Sequence, residues 1–268
     1  MIHLTIYSPI EVLLKQNKKK LKKLFIIILF LNSCETEIQD FDTLTDQNNS
    51  TNQSQIDVDG DGILNDFDLD NITRQGAEVD ANGVMINPIY LDDNKITIKA
   101  KEWSISGDIG LINEIEYEVI SEDELGKRIL NNEDITRVCT SKITLMTQLF
   151  DNNKTFNQDI STWDTSNVNG MNFMFNTAEA FNQNISSWNT SNVQDMNYMF
   201  RNASSFNQNI RFWDTSNVSI MKDMFSGAVS FNQDLSSWNV LKVYDCQSIF
   251  FNTPSWTLQK PNFTFCSP

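Results

Sequence analysis

The stretch FNQDISTWDTSNVNGMNFMFNTAEA, residues 156–180, is followed by three further copies of the same length, at 181–205, 206–230 and 231–255. The copies stay aligned at intervals of 25 residues. The aligned aromatic positions are Phe156, Phe181, Phe206 and Phe231; Trp163, Trp188, Trp213 and Trp238; and Phe150, Phe175, Phe200, Phe225 and Phe250. Because a single insertion would destroy this alignment, each copy is predicted to be one structural unit of a repeat protein.

One copy holds too few apolar side chains for a core of its own, so the copies are expected to stack and bury equivalent residues against each other. Residues 156–163 are typical of a short strand with its turn, and Val168, Met171, Met174 and Phe175 have helical spacing. The predicted fold class is therefore α/β. It is a repeat solenoid of 25-residue strand-turn-helix units, with the strands aligned in a parallel sheet along one face.

The ends of the repeat region depart from the pattern, as solenoid caps do. A half-copy, TSKITLMTQLF, precedes the first full copy, and the last copy loses its methionines, so the repeats are placed at 139–255 and a C-terminal cap at 256–268. Residues 88–138 predict a small α/β cap with strands at 95–100 and 112–120. Ser121 and Glu124 form a capping box for a helix that runs through Leu130.

The first 34 residues have the composition of an export signal. KKKLKKLFIIILFLNSC, residues 18–34, joins a basic run to an apolar stretch of eight residues, too short to span a bilayer. Leu31-Asn32-Ser33-Cys34 resembles a bacterial lipobox, so residues 1–33 are predicted to be a lipoprotein signal peptide and Cys34 the lipid attachment site. The segment before Asn17 fits neither a signal nor a fold, which leaves a start near Asn17 as an alternative.

Two segments link the signal to the globular part. Residues 34–55 are poor in apolar residues and are predicted to be a disordered linker. Residues 56–87 hold an acidic segment and a connector, and the acidic segment fits a D-x-D-x-D-G-x-x-N-x-x-D pattern. The predicted ligands, with Ile63 acting through its carbonyl, are Asp57, Asp59, Asp61, Ile63, Asn65 and Asp68. The segment resembles a thrombospondin type-3 repeat, which implies structural Ca²⁺; a solvated acidic linker is the alternative.

The pattern F-N-Q-D-I-S-x-W-D-T-S-N-V-x-x-M-x-x-M-F-x-x-A resembles the repeats of BspA-like leucine-rich-repeat surface proteins. The resemblance covers residues 139–255 with whole motifs in alignment, and residues 88–138 are similar to the leader of flavobacterial members. It implies a cell-surface protein, often a lipoprotein, that serves adhesion or protein binding.

Charge and composition exclude several functions. From Cys34 onward the chain has 14 basic and 34 acidic residues, a formal charge of −20, which disfavours nucleic-acid binding. The only histidine, His3, precedes Cys34, so histidine-dependent nucleophiles and common zinc sites are absent from a processed protein. A carboxylate pair such as Asp159 and Asp164 does not recur, because the next copy has Asn184 and Asn189, and no catalytic residue is predicted.

The expected function is a non-enzymatic cell-surface lipoprotein, held in the cell envelope at the outer membrane or cell surface by its lipid, that binds a protein ligand. A glycan-binding protein for nutrient capture and a structural envelope component are the alternatives. The repeated Asn-Gln pairs and tryptophans suit saccharides, but amide ladders and a buried core explain them better. Arg211-Phe212 replaces Ser/Thr pairs and is the candidate ligand contact. Cys246 with Cys266 would close the C-terminal cap, although Cys139 leaves the pairing open.

Calcium binding by the acidic segment is directly testable. Calorimetry on residues 50–90 should show binding of Ca²⁺ that the double substitution Asp59→Ala and Asp61→Ala removes, because both side chains supply ligand oxygens. Absence of heat at millimolar Ca²⁺ in the unchanged segment would favour the solvated linker.

Overall fold

The computed structural model describes residues 73, 74 and 76–268. In this part, the helices and strands are β1 (Ile89–Leu91), β2 (Ile98–Ala100), β3 (Ile109–Ile112), β4 (Ile115–Val119), α1 (Glu122–Leu130) and β5 (Val138–Cys139). β1 pairs with β2 antiparallel. β3 pairs with β4 antiparallel, and β5 runs parallel to β4. The described chain thus has small sheets and little helix.

The segment predicted as one strand at 112–120 is part of a hairpin. Asn113 and Glu114 have φ values of 50° and 67°, and they form the tight turn between β3 and β4. Two consecutive residues with positive φ are the requirement of a type I′ hairpin turn. Ile112 therefore ends β3, and β4 begins at Ile115.

The helix α1 lies where the sequence predicts it. The Ser121 hydroxyl accepts a hydrogen bond from the Glu124 N–H at 3.3 Å, as an N-cap residue does. Near the start of α1, the Glu122 carboxylate accepts bonds from the N–H and hydroxyl of Thr144, both at 2.8 Å, and from the Leu145 N–H at 3.1 Å. These bonds hold the pKa of Glu122 below its ordinary value, with the backbone bond from Thr144 as the largest cause. They join the helix to the half-copy that precedes the first full unit.

Successive units are joined by a ladder of parallel backbone hydrogen bonds. Along residues 171–177 and the equivalent segments of the other units, every second backbone N–H donates to the carbonyl of the residue 24 positions later. In the first full unit, residues 156–180, these bonds are Met171 to Asp195 at 3.0 Å, Phe173 to Asn197 at 2.9 Å, Phe175 to Met199 at 2.9 Å and Thr177 to Arg201 at 2.7 Å. Parallel bridges follow the same order, from Leu145 to Gly170, Asp195, Ile220 and Asp245. The 25-residue copies therefore stack side by side in sequence order.

The prediction of a short helix in each unit is wrong. Residues 168–175 form consecutive turns, in which the Met174 N–H donates to the Met171 carbonyl and the Asn176 N–H to the Phe173 carbonyl, both at 3.2 Å. Phe173 and Thr177 have φ values of 57° and 58°, and these left-handed residues break any helix. Turns repeated every few residues place Met171, Met174 and Phe175 inward, and this spacing imitates helical periodicity.

The prediction of a strand at 156–163 is also wrong. Residues 156–163 form no strand, and the ladder of parallel bonds runs through residues 168–177 instead.

Equivalent aromatic side chains form the core of the stack. The rings of Trp163 and Trp188 are 6.4 Å apart, and so are those of Trp188 and Trp213. Phe175 and Phe200 are 5.5 Å apart. All of these side chains are buried, so each ring fills the space between its counterparts in the neighbouring units.

The C-terminal end of the stack contains a degenerate fifth copy. Trp256 and Phe263 lie 25 residues after Phe231 and Trp238, and the Thr257 N–H donates to the Asn232 side chain at 2.9 Å, as its counterparts do in earlier units. Trp256 packs edge-on against Phe231 at 4.7 Å. The repeat pattern therefore continues past the predicted boundary at residue 255. Cys246 and Cys266 are joined in a disulfide that ties the last residues to the fourth unit.

Trp188→Ala tests this packing. Loss of a buried ring that contacts both neighbouring units should cost about 3–5 kcal/mol of unfolding free energy, measured by denaturant unfolding. Phe212→Ala is the matched control, because that aromatic ring is 80% exposed and its removal should change stability little. Equal effects of the two substitutions would contradict the assignment of the tryptophans to the core.

Candidate binding surface

The Asn-Gln pairs that recur in the repeats are used to hold the units together. The Asn157 side-chain oxygen accepts bonds from the Asn182 N–H and the Gln183 amide, both at 3.0 Å. The same contacts recur between the next pairs of units. The amides therefore form the predicted ladder, and the tryptophans lie in the core. These residues do not support the saccharide interpretation placed on them.

The T-S-N and Trp motifs have the same role. The Thr165 hydroxyl donates to the Asn189 carbonyl at 2.9 Å in the following unit, and the Asn192 amide donates to the Ser166 carbonyl at 2.6 Å in the preceding one. The Trp188 indole donates to the Ile160 carbonyl at 3.2 Å. Since the shared polar groups bond to neighbouring units, the positions at which the copies differ are the candidates for contact with a ligand.

Arg211 and Phe212 occupy such a position. In the units before and after, Ser187 and Ser237 donate their hydroxyls to the carbonyls of Ser161 and Arg211, at 2.9 and 3.0 Å. Phe212 has no hydroxyl to make the equivalent bond. Its ring is 80% exposed, with the Arg211 guanidinium carbon 5.1 Å from the ring centroid. This unit therefore gives up an inter-unit hydrogen bond and displays a cation–π pair to solvent.

A second group of variable residues lies on the outer side of the backbone ladder. The rings of Phe173 and Tyr198, one unit apart, stack with their centroids 4.5 Å from each other. The guanidinium of Arg201 lies 5.3 Å from the Tyr198 ring centroid. The helix predicted for this segment gave no indication that Phe173 and Tyr198 stack on each other. The signal available in the sequence was that this position differs in every copy. The residues at this position, 25 apart, are Gln148, Phe173, Tyr198, Asp223 and Ser248.

The carboxylates considered for acid-base chemistry serve the backbone. Asp159 accepts a bond from the Ser161 N–H at 2.9 Å. Asp164 is buried and accepts bonds from the Ser141 hydroxyl at 2.5 Å and the Ser166 N–H at 3.0 Å. Cys139 is a buried free thiol close to Ser141, and burial raises its pKa.

The predicted lipid site and metal site lie outside the described residues. These are Cys34 and the ligand set Asp57, Asp59, Asp61, Ile63, Asn65 and Asp68. Among residues 73–268, apart from residue 75, no cluster of three His, Cys, Asp or Glu side chains is placed to hold a metal ion. Within the same part of the chain, no helix has the length and apolar character needed to cross a membrane.

Comparison with known proteins gives one family. The family model described as "Mycoplasma protein of unknown function, DUF285" matches residues 123–214 and 188–265, which together make up just over half of the chain. No curated protein and no solved structure matches the chain.

Proposed function

The chain belongs to the DUF285 family, and from this premise we propose that it is a non-enzymatic binding protein of the cell surface whose ligand is a protein. The described stack is, in this proposal, a solenoid of the BspA-like leucine-rich-repeat type, built from ladder-joined turns. The overlapping family matches and the 25-residue backbone ladder support it.

The Arg211–Phe212 pair carries this proposal. A large aromatic ring that is 80% exposed has a hydrophobic cost in water, and here it also replaces a hydroxyl that the neighbouring units use. Aromatic rings and guanidinium groups are enriched among the residues that dominate protein–protein binding energy. Arg211 and Phe212 stabilise neither the core nor the ladder, so contact with a partner protein explains why this copy carries them in place of serines.

The anchoring of this protein is proposed on the sequence alone. Cys34 would carry the lipid and hold the protein at the outer membrane or cell surface, and Ca²⁺ bound at 57–68 would stiffen the stalk between lipid and solenoid. Labelling with a palmitate analogue should be lost in Cys34→Ala, and labelling that persists would contradict the anchor.

The double variant R211S/F212S tests protein binding. Both exchanges introduce residues that the flanking copies already carry, so the variant should fold. The introduced hydroxyl at position 212 can donate to the Ser186 carbonyl, which is worth at most about 1 kcal/mol, so the melting temperature should stay the same or rise. Binding to an array of purified extracellular proteins should fall at least tenfold.

The matched control for this test is Leu241→Ser. Leu241 is 63% exposed, and the equivalent residues of the earlier copies are Ser166, Ser191 and Ser216. Like R211S/F212S, this variant replaces an exposed apolar residue by the serine of the other copies. It should bind the protein ligand as strongly as the unchanged protein does. Binding that is unaffected by R211S/F212S, or the absence of any bound protein, would overturn the proposal.

A further inference from the structure

The backbone ladder ends in a row of unused hydrogen-bond donors at the C-terminal end of the stack. In the first full unit, the N–H groups of Phe173 and Phe175 donate to carbonyls of the next unit. The equivalent N–H groups of the last ladder segment, those of Ser248, Phe250 and Asn252, have no partner among the described residues. Asn252 is exposed, and the other two residues are partly exposed. An unpaired row of this kind is a template on which another chain can pair.

This free edge of the ladder displays donors alone. The carbonyls of Asp245, Gln247 and Phe251 face the preceding unit, from which they accept N–H bonds at 2.8, 2.8 and 2.9 Å. At the earlier unit boundaries, the donor row is met by alternate backbone carbonyls of the following unit. The complement of the free edge is therefore a row of carbonyls.

Two exposed aromatic side chains flank the donor row. Tyr244 and Phe251 are 64% and 68% exposed, and they lie at the two ends of the last ladder segment. The aligned residues of the earlier copies are polar: Thr144, Asn169, Gln194 and Ser219 for Tyr244, and Asp151, Asn176, Arg201 and Ser226 for Phe251. At these two positions, large apolar side chains thus appear in the unit whose edge is free, which is typical of a contact surface.

The two ends of the stack are closed in different ways. At the N-terminal end Leu125 of α1 is buried in the main core and Ile129 packs against it, so the helix covers that end. At the C-terminal end Trp256 and Phe263 pack on the ring of Phe250, but no described residue accepts a bond from the donor row. A second copy of this chain would have to offer its carbonyl row from the end that α1 covers, which disfavours it as the occupant.

We propose that this edge, formed by the N–H groups of Ser248, Phe250 and Asn252 and by the side chains of Tyr244 and Phe251, binds an extended peptide segment of a partner protein. The segment adds to the stack as one more rung, and its alternate carbonyls accept from the donor row. In such additions the backbone bonds give affinity and the side-chain contacts give selectivity. The preferred segment therefore has apolar side chains at both ends, where they pack on the two aromatic rings.

Charge favours neutral carbonyls over an anion at this edge. A row of backbone N–H groups can also bind an anion. However, the whole chain has a formal charge of −15. Asp245 lies at the start of the row, where its carboxylate accepts a bond from the Gln247 N–H at 3.2 Å. Both charges oppose an acidic ligand, and a peptide backbone is neutral.

Fluorescence anisotropy of a labelled peptide, titrated with the full chain, tests this edge. The probe is the sequence of residues 193–204, VQDMNYMFRNAS, with Gln194→Leu and Arg201→Leu. In the stack this segment supplies carbonyls to the preceding unit, and the two leucines would lie opposite Tyr244 and Phe251. The probe should bind, and a peptide of the same composition in scrambled order should bind at least tenfold more weakly.

Variants of the chain separate the edge from the rest of the surface. Tyr244→Ser and Phe251→Ser introduce the residues that the preceding copy carries, so both should fold, and each should weaken binding of the probe at least fivefold. Leu241→Ser is the matched control, since it also exchanges an exposed apolar residue for serine. This control and R211S/F212S should leave the affinity for the probe within twofold.

Amide hydrogen exchange detects the backbone bonds themselves. Saturation with the probe should slow exchange at least tenfold at Ser248, Phe250 and Asn252, because their N–H groups become paired. Exchange at Asn172, which lies in an earlier unit and also lacks a partner among the described residues, should not change.

Several outcomes would overturn the proposal. These are failure of the probe to bind, equal binding of the scrambled peptide or of decaglutamate, unchanged binding by Tyr244→Ser and Phe251→Ser, and unchanged exchange at the three donors. Self-association of the chain in sedimentation, abolished by Phe251→Ser, would also overturn it, because a second copy would then occupy the edge. The proposal concerns a second surface, so none of these outcomes affects the test of protein binding at Arg211 and Phe212.

Discussion

The structure depends on one constraint, that each unit must hydrogen-bond to the unit 25 residues away while it also turns. Two sets of backbone N–H groups satisfy this constraint. Those of Phe173 and Phe175 donate to the next unit, and those of Met174 and Asn176 close short turns within the unit. Positive φ at Phe173 and Thr177 makes this alternation possible. The backbone alignment then fixes the separation of the aromatic rings, so equivalent rings pack at similar distances throughout the stack.

This constraint also explains the repeated polar motif. Asn157, Thr165 and their equivalents bond across the unit boundary, so their spacing within each unit has to match that of the neighbouring unit. Arg211 and Phe212 lie in one variable column, and Phe173 and Tyr198 lie in another. A stack of this kind separates the residues that hold it together from those free to acquire a ligand.

The sequence was sufficient to predict the unit length, the stacking order and the buried tryptophans, because the 25-residue alignment reports them directly. It was insufficient for the conformation inside a unit. Met171, Met174 and Phe175 face inward through turns, and the same spacing would arise from a helix, so periodicity alone cannot distinguish the two. The incorrectly predicted helix also concealed the Phe173–Tyr198 pair. By contrast, Arg211 and Phe212 could be singled out beforehand, since they differ from aligned serines.

Amide hydrogen exchange followed by NMR tests the ladder most directly. We expect slow exchange at Phe173 and Phe175, whose N–H groups donate to the next unit, and fast exchange at Asn172, whose N–H has no partner among the described residues. A helix over 168–175 would instead bond the Asn172 N–H to the Val168 carbonyl. Protection of Asn172 as strong as that of Phe173 would contradict the account.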